Sequence, residues 1–191
     1  MTSTQQRCFL IRHGETEWSR DRRHTGRTDL PLLPEARPQL ERVRELLLGA
    51  QLGAVFTSPL SRARETSSFL GFGTTEVVDD DLLEWDYGDY EGRTTAEIRR
   101  ERPGWDLFAD GAPDGENLAE VSRRADRVIA RVRAVPGDVA CIAHAHLLRV
   151  LAARWVGLGA EGGRYFVLGP ASVSEIGWER EQPVIVAWNQ R

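Results

Sequence analysis

Three short apolar runs, each ending at once in polar residues, constrain the fold more than any other feature of the chain. They are Cys8 to Ile11, Ala54 to Thr57 and Val139 to Ala143. Short runs of this kind, with no polar alternation, are the pattern of strands buried on both faces. Helical spacing fills the intervals between them. Glu35 to Leu48 carries Leu40, Val43, Leu46 and Leu47 at helical spacing, and Pro38 falls in its first turn, where a missing N–H costs little. Ser61 to Leu70 and Asn117 to Val135 read as further helices, and Leu147 to Val156 as a fourth, directly after the third strand. Ser172 to Trp178 and Pro183 to Trp188 have strand-like composition and suit a hairpin. Strands alternating with helices imply an α/β fold, a three-layer sandwich with a mostly parallel central sheet. No linker, repeat or low-complexity tract divides the 191 residues, a length that suits one domain over 1–191.

Composition narrows the function. A net charge of −4 does not suggest nucleic acid as a partner. The longest apolar runs, Leu46-Leu47-Leu48 and Val150 to Ala153, are far too short to span a bilayer, so no membrane is expected. Met1 to Arg7 is polar and reads as no signal peptide, which places the chain in the cytoplasm. Cys8 and Cys141 sit in apolar stretches and read as buried, reduced thiols. All 25 basic residues are arginines, so any phosphate site must be built from guanidinium, imidazole and backbone groups.

In open α/β sheets, ligands bind at the carboxyl ends of the strands. Arg12 and His13 follow the first strand, Ser58, Pro59 and Arg62 the second, and His144 the third. Two histidines and two arginines from distant segments thereby meet at one sheet edge. Phosphoryl transfer without metal needs such a set. Fixed positive donors hold the equatorial oxygens, a nucleophile lies in line with the leaving oxygen, and an acid neutralises the departing alkoxide. Neutral imidazole is a competent nucleophile near pH 7.

The stretch Leu10-Ile11-Arg12-His13-Gly14-Glu15-Thr16 resembles the signature of the histidine phosphatase superfamily. Four more blocks follow in the family's order: His24 to Leu32, Ser58 to Thr66, Leu83 to Gly92, and Ile142 to His146. The resemblance spans almost the whole chain and implies the phosphoglycerate mutase-like fold. It implies His13 as the nucleophile that becomes phosphorylated and Glu84 as proton donor, with His144 beside them. It implies a phosphate pocket of Arg12, Arg62 and His144, joined by Thr25, Gly26 and Ser19. Tyr87, Arg27, His24, Ala145 and His146 are candidates for substrate contact. No cofactor and no metal are implied. Dimers occur in the superfamily, so a homodimer stays open.

Three positions depart from the family pattern. Ser19 stands where asparagine is frequent, which shortens or removes one phosphate contact. Ala145 follows the second histidine in place of glycine, and its methyl group narrows the pocket or restricts the backbone. Ala36 stands where glycine is common at the opening of the first helix.

Other carboxylates compete with Glu84 for the acid role. Glu91, in a Tyr-Glu-Gly turn, reads better as a structural hydrogen-bond acceptor, and Glu15 and Glu17 as solvated or paired with arginines. His146 is expected to point away from His144, as a capping or rim residue. The His-x-His pair lacks a third ligand at metal-binding spacing. Trp18, Arg22, Arg23, Trp85 and Tyr90 are further candidates for the mouth of the site, and Arg99 to Arg102 reads as a solvated face.

The favoured function is hydrolysis of a small phosphorylated metabolite, a sugar phosphate by likeness to fungal sedoheptulose-bisphosphatases and mycobacterial acid phosphatases. One alternative is a cofactor-dependent phosphomutase. Only sixty positions separate Glu84 from His144, too few for the longer insertion that shields a mutase intermediate from water. A non-hydrolytic member that binds a phosphorylated ligand is the other alternative, and the intact nucleophile and acid argue against it.

Overall fold

A computed structural model describes residues 5–191. In chain order the strands are β1 (Cys8–Arg12), β2 (Leu52–Thr57), β3 (Val77–Val78), β4 (Asp138–Ala143), β5 (Ser172–Glu179) and β6 (Gln182–Gln190). The helices are α1 (Glu17–Arg20), α2 (Ala36–Leu46), α3 (Ser61–Phe69), α4 (Thr95–Glu101), α5 (Leu107–Asp110), α6 (Leu118–Ala134) and α7 (Ala145–Trp155).

The six strands form one sheet in the order β3-β2-β4-β1-β5-β6. β1, β2, β3 and β4 run parallel, and the β5–β6 hairpin adds antiparallel to β1. Strand alternation sorts β1 and β4 onto two cores. Cys8, Leu10, Val139, Cys141 and Ala143 face one core with α6 and α7, whereas Phe9, Ile11, Ala140 and Ile142 face the other with Leu40, Val43 and Ala63. Helices thus cover both faces, which is why β1 and β4 read as unbroken apolar runs. Each fully buried aliphatic side chain there contributes about 1.5–3 kcal/mol of transfer free energy.

The expected strands, hairpin and helices are present, with boundaries shifted by a few residues. Two differences have physical causes. β3 is a two-residue exposed strand on the sheet edge, too short to leave a pattern in sequence. α7 starts at Ala145 rather than Leu147, because its first turn is capped by a carboxylate from elsewhere in the chain. Arg99 to Glu101 do lie on an exposed helical face, and α4 opens with a capping box between Thr94 and Glu97. No helix among the described residues is long and apolar enough to cross a membrane.

Candidate active site

β1, β2 and β4 end side by side, and the residues after them converge as the topology requires. The His13 N–H donates to Ala143 O at 3.0 Å and the Ser58 N–H to Ile142 O at 3.0 Å, so the chain turns out of the sheet only past these positions. Gly14 allows close approach here: a Cβ at that position would lie 2.9 Å from the Ala36 methyl group. Its N–H donates to Thr66 Oγ1 at 3.1 Å, tying β1 to α3.

His13 is 5% exposed, and its Nδ1 lies 2.6 Å from Gly14 O. A carbonyl only accepts, so Nδ1 carries the proton and Nε2 keeps its lone pair. Burial, then the charges of Arg62 and Arg12, hold the imidazole well below its usual range, so it is neutral near pH 7. His144 packs beside it with ring centroids 5.2 Å apart. Arg62 Nε donates to His144 Nδ1 at 3.1 Å, which puts the His144 proton on Nε2, 2.8 Å from Ser58 Oγ. Burial, Arg62 and His13 keep His144 neutral as well.

Arg62 is fully buried. Its remaining N–H groups donate to the carbonyls of Thr28 (2.9 Å), Thr25 (3.1 Å) and Gly26 (2.9 Å). It therefore fastens the 25–28 segment behind His13. Arg12 is half-buried, donates to Leu168 O at 2.5 Å, and has a buried Nε–H without a protein acceptor. Burial lowers its pKa to about 10, which leaves it charged at neutral pH.

Glu84 enters from the other core. Its Oε1 accepts the N–H groups of Trp85 (2.9 Å) and Leu147 (3.0 Å), and its Oε2 accepts the N–H of His146 (3.0 Å). It thus caps α7, whose own N-cap residue, His144, makes no side-chain cap bond. Arg124 holds the segment before it. This buried α6 side chain pairs with Glu116 at 2.6 Å and donates to the carbonyls of Asp81, Leu83 and Glu84.

These elements bound a cavity of about 370 Å³. Arg12, His13, Ser19, His24, Thr25, Glu84, Tyr87, Ala145 and His146, all candidates from the sequence, line it. Arg62 and His144 stand directly behind the lining, Arg62 bonded to Thr25 O and His144 packed on the His13 ring. Two expected site residues lie apart from the cavity wall. Gly26 gives its N–H to Glu91 Oε1 at 2.8 Å, and a Cβ there would come within 2.5 Å of Trp85 O, so it serves loop packing. Arg27 turns to Asp86 at 3.3 Å and Glu116 at 3.8 Å, because these half-buried carboxylates attract it there. Glu91 is the structural acceptor that the turn implied, taking the N–H groups of Gly26, Arg27 and Thr28. Ser19 lines the cavity, but its hydroxyl donates to Thr16 O in the capping box of α1.

His146 corrects the expectation that it points elsewhere. It faces the cavity, 2.6 Å from the Tyr87 hydroxyl, because the α7 start two residues earlier swings it onto that side. Burial keeps His146 well below the usual histidine range and lowers His24 to about 4. Arg22 and Arg23, candidates for the mouth, line the cavity, whereas Trp18, Trp85 and Tyr90 do not. Thr95, Arg149, Arg164 and Phe166 to Leu168 also line it and were not among the candidates. Only Arg149 carried a signal, four residues after Ala145 on one helical face. Among the described residues no group of three His, Cys, Asp or Glu side chains is placed to hold a metal ion.

Residues 8–191 match the profile of the histidine phosphatase superfamily, branch 1. The chain belongs to this superfamily. It is similar to sedoheptulose 1,7-bisphosphatase of Saccharomyces cerevisiae, 38% identical over 84% of this chain and 71% of that protein. It is similar to an acid phosphatase of Mycobacterium tuberculosis, 39% identical over 91% of this chain and 87% of that protein. Among solved structures, the product of an open reading frame of Mycobacterium tuberculosis superposes with a TM-score of 0.91 at 36% identity, over 97% of both chains. The phosphoglycerate mutase-like arrangement implied by the motifs is therefore the fold of this histidine phosphatase; the yeast and mycobacterial relatives are named phosphatases, and others 28–29% identical are named probable phosphoglycerate mutases.

Proposed function

We propose that this histidine phosphatase is a metal-independent phosphomonoesterase of small sugar phosphates, working as a single domain through a phosphohistidine on His13. The observation that carries the reading is the state of His13: neutral, its Nδ1 proton engaged by Gly14 O, its other nitrogen beside a cavity lined by Arg12 and Glu84. In the first step His13 Nε2 attacks phosphorus and the bond to the leaving oxygen breaks. The Glu84 carboxyl proton passes to the departing alkoxide. In the second step the Glu84 carboxylate takes a proton from water, whose oxygen attacks phosphorus and breaks the P–N bond. Phosphate leaves, and His13 and Glu84 return to their starting states. Arg12 offsets the charge of the equatorial oxygens, Arg62 adds its charge from behind the cavity wall, and His144 and Thr25 complete the phosphate pocket as neutral groups. The preference for a sugar phosphate is supported by the likeness to a sedoheptulose bisphosphatase. Reduced Cys8 and Cys141 support a cytoplasmic location, and association into a homodimer belongs to the same reading.

His13→Ala should abolish hydrolysis of p-nitrophenyl phosphate while leaving the circular dichroism spectrum unchanged, and chelator should not inhibit the unaltered enzyme. Full turnover in that variant, or a requirement for added divalent metal, would contradict the mechanism.

A further inference from the structure

We propose that Asn189, near the end of β6, is a positioning residue for the phosphoryl site: through a single peptide unit it holds Arg12 in place against the substrate phosphate. This rests on the phosphatase reading of the cavity and adds a residue that stands outside the cavity wall.

The connection runs through the peptide between Leu168 and Gly169. Its carbonyl accepts Arg12 Nη1 at 2.5 Å, and its N–H donates to Asn189 Oδ1 at 2.8 Å. A peptide unit is planar and rigid, so its two ends cannot turn separately. Rotation that swings the carbonyl away from Arg12 also pulls the N–H from Asn189. Hydrogen bonds in series polarise one another, which makes the carbonyl a stronger acceptor. Leu168 O is the one protein acceptor for the Arg12 guanidinium among the described residues, and the buried Arg12 Nε has none. The direction of the guanidinium fork therefore depends on this peptide. Two residues after Gly169, the Ala171 N–H donates to His13 O at 2.9 Å, so the same segment also ties down the backbone of the nucleophile.

β6 departs from regular strand geometry to make this contact. Its register against β5 slips between Val173 and Glu175, which sets Trp188 and Asn189 together opposite Ser174. Asn189 has φ +54°, in the left-handed region that asparagine tolerates better than most residues. Its own N–H donates to the hydroxyl of buried Ser174 at 2.9 Å. The segment has further anchors. Trp188 stacks on Phe166 with centroids 5.0 Å apart and donates to Val167 O at 2.6 Å, and Ser172 Oγ donates to Gly169 O at 2.7 Å. Loss of the Asn189 side chain thus frees the 168–169 peptide without releasing the whole loop. A non-glycine residue held at positive φ, with its amide spent on the peptide that orients a phosphate-binding arginine, is local strain serving a site.

The test is a double-mutant cycle on p-nitrophenyl phosphate, with orthovanadate inhibition as a second measure. Asn189→Gly keeps the left-handed backbone and removes the acceptor, whereas Asn189→Asp keeps an acceptor of the same shape. The glycine variant should lose roughly 5- to 10-fold in kcat/KM and in vanadate affinity, with an unchanged circular dichroism spectrum. The aspartate variant should stay within about twofold of the unaltered enzyme. In an Arg12→Ala background, assayed at raised enzyme concentration, Asn189→Gly should cost less than about twofold, because the peptide then has no guanidinium to hold. The same loss in both backgrounds, or no loss in either, would overturn the proposal. Should the glycine variant not fold, Asn189→Ser carries the same cycle, since its hydroxyl sits one bond closer to the backbone and falls short of Gly169. An unaltered enzyme inactive on p-nitrophenyl phosphate strikes the phosphatase reading instead, and takes this inference with it.

Discussion

α6 and α7 are both long, well-packed helices against the same core, yet their first turns are closed in opposite ways. At α6, the Asn117 side chain accepts the Glu120 N–H at 3.1 Å, and Glu120 returns the bond to the Asn117 N–H at 2.8 Å. That capping box is complete within four residues and needs nothing else from the fold. At α7 there is no local cap, and the first-turn N–H groups of His146 and Leu147 are taken by Glu84. The local cap stabilises only its helix. The remote cap makes the start of α7 and the proposed proton donor one unit, so the acid is positioned by the same bonds that end the helix.

Breaking the remote cap should have the largest effect. Glu84→Gln keeps one acceptor oxygen and removes the transferable proton. We expect roughly a 10²- to 10⁴-fold loss of turnover on alkyl phosphates, and a much smaller loss on p-nitrophenyl phosphate, whose leaving group needs no proton. Equal losses on the two substrates would separate Glu84 from acid catalysis. Next is the clamp behind it. Arg124→Ala leaves half-buried Glu116 with only the longer Arg27 contact at 3.8 Å and frees three carbonyls, at a cost of about 3 kcal/mol in urea unfolding. A cost within experimental error of zero would show that the 81–84 segment holds itself.

Acid should act on the two helices unequally. His144 and His146 lie at the positive end of α7, His13 and His24 adjoin it, and α6 contains no histidine. All four are held below their ordinary range. The unfolded chain takes up these protons near pH 6.5, whereas His24 in the folded chain does so only near 4. Stability is therefore unaffected above pH 6.5 and falls as pH drops toward 4, by up to about 1.4 kcal/mol per pH unit for each histidine. Hydrogen exchange at pH 5 should show α7 amides losing protection before those of α6, and simultaneous loss would contradict the comparison. The smallest effect belongs to the local cap. Asn117→Ala should cost about 1 kcal/mol in thermal or urea unfolding and leave the ratio of alkyl to aryl phosphate turnover unchanged.

The same contrast explains what could be read before the fold was known. Cys8 to Ile11 and Val139 to Ala143 are buried on both faces, so their apolar character is continuous and their strands are legible. Asn117 and Glu120 sit at capping-box spacing, and α6 begins where that spacing says. Glu91 is an acceptor for three backbone N–H groups, as its turn suggested. Arg27 and Gly26 lie inside the His24 to Leu32 block, but the first is drawn off by Asp86 and Glu116 and the second spends its N–H on Glu91. His146 and Arg149 face the cavity only because α7 starts two residues early. That start depends on a carboxylate 62 and 63 positions upstream of the N–H groups it accepts.

From the amino acids alone came the alternation of strand and helix and the sheet edge at which Arg12, His13 and His144 gather, since these depend on short-range pattern and on residue chemistry. Which face of α7 lines the cavity, which arginines are neutralised by carboxylates and which are left charged, and why every imidazole is uncharged were settled only by tertiary packing. Burial, helix phase and ion pairing are properties of neighbours in space, and no local stretch of chain encodes them.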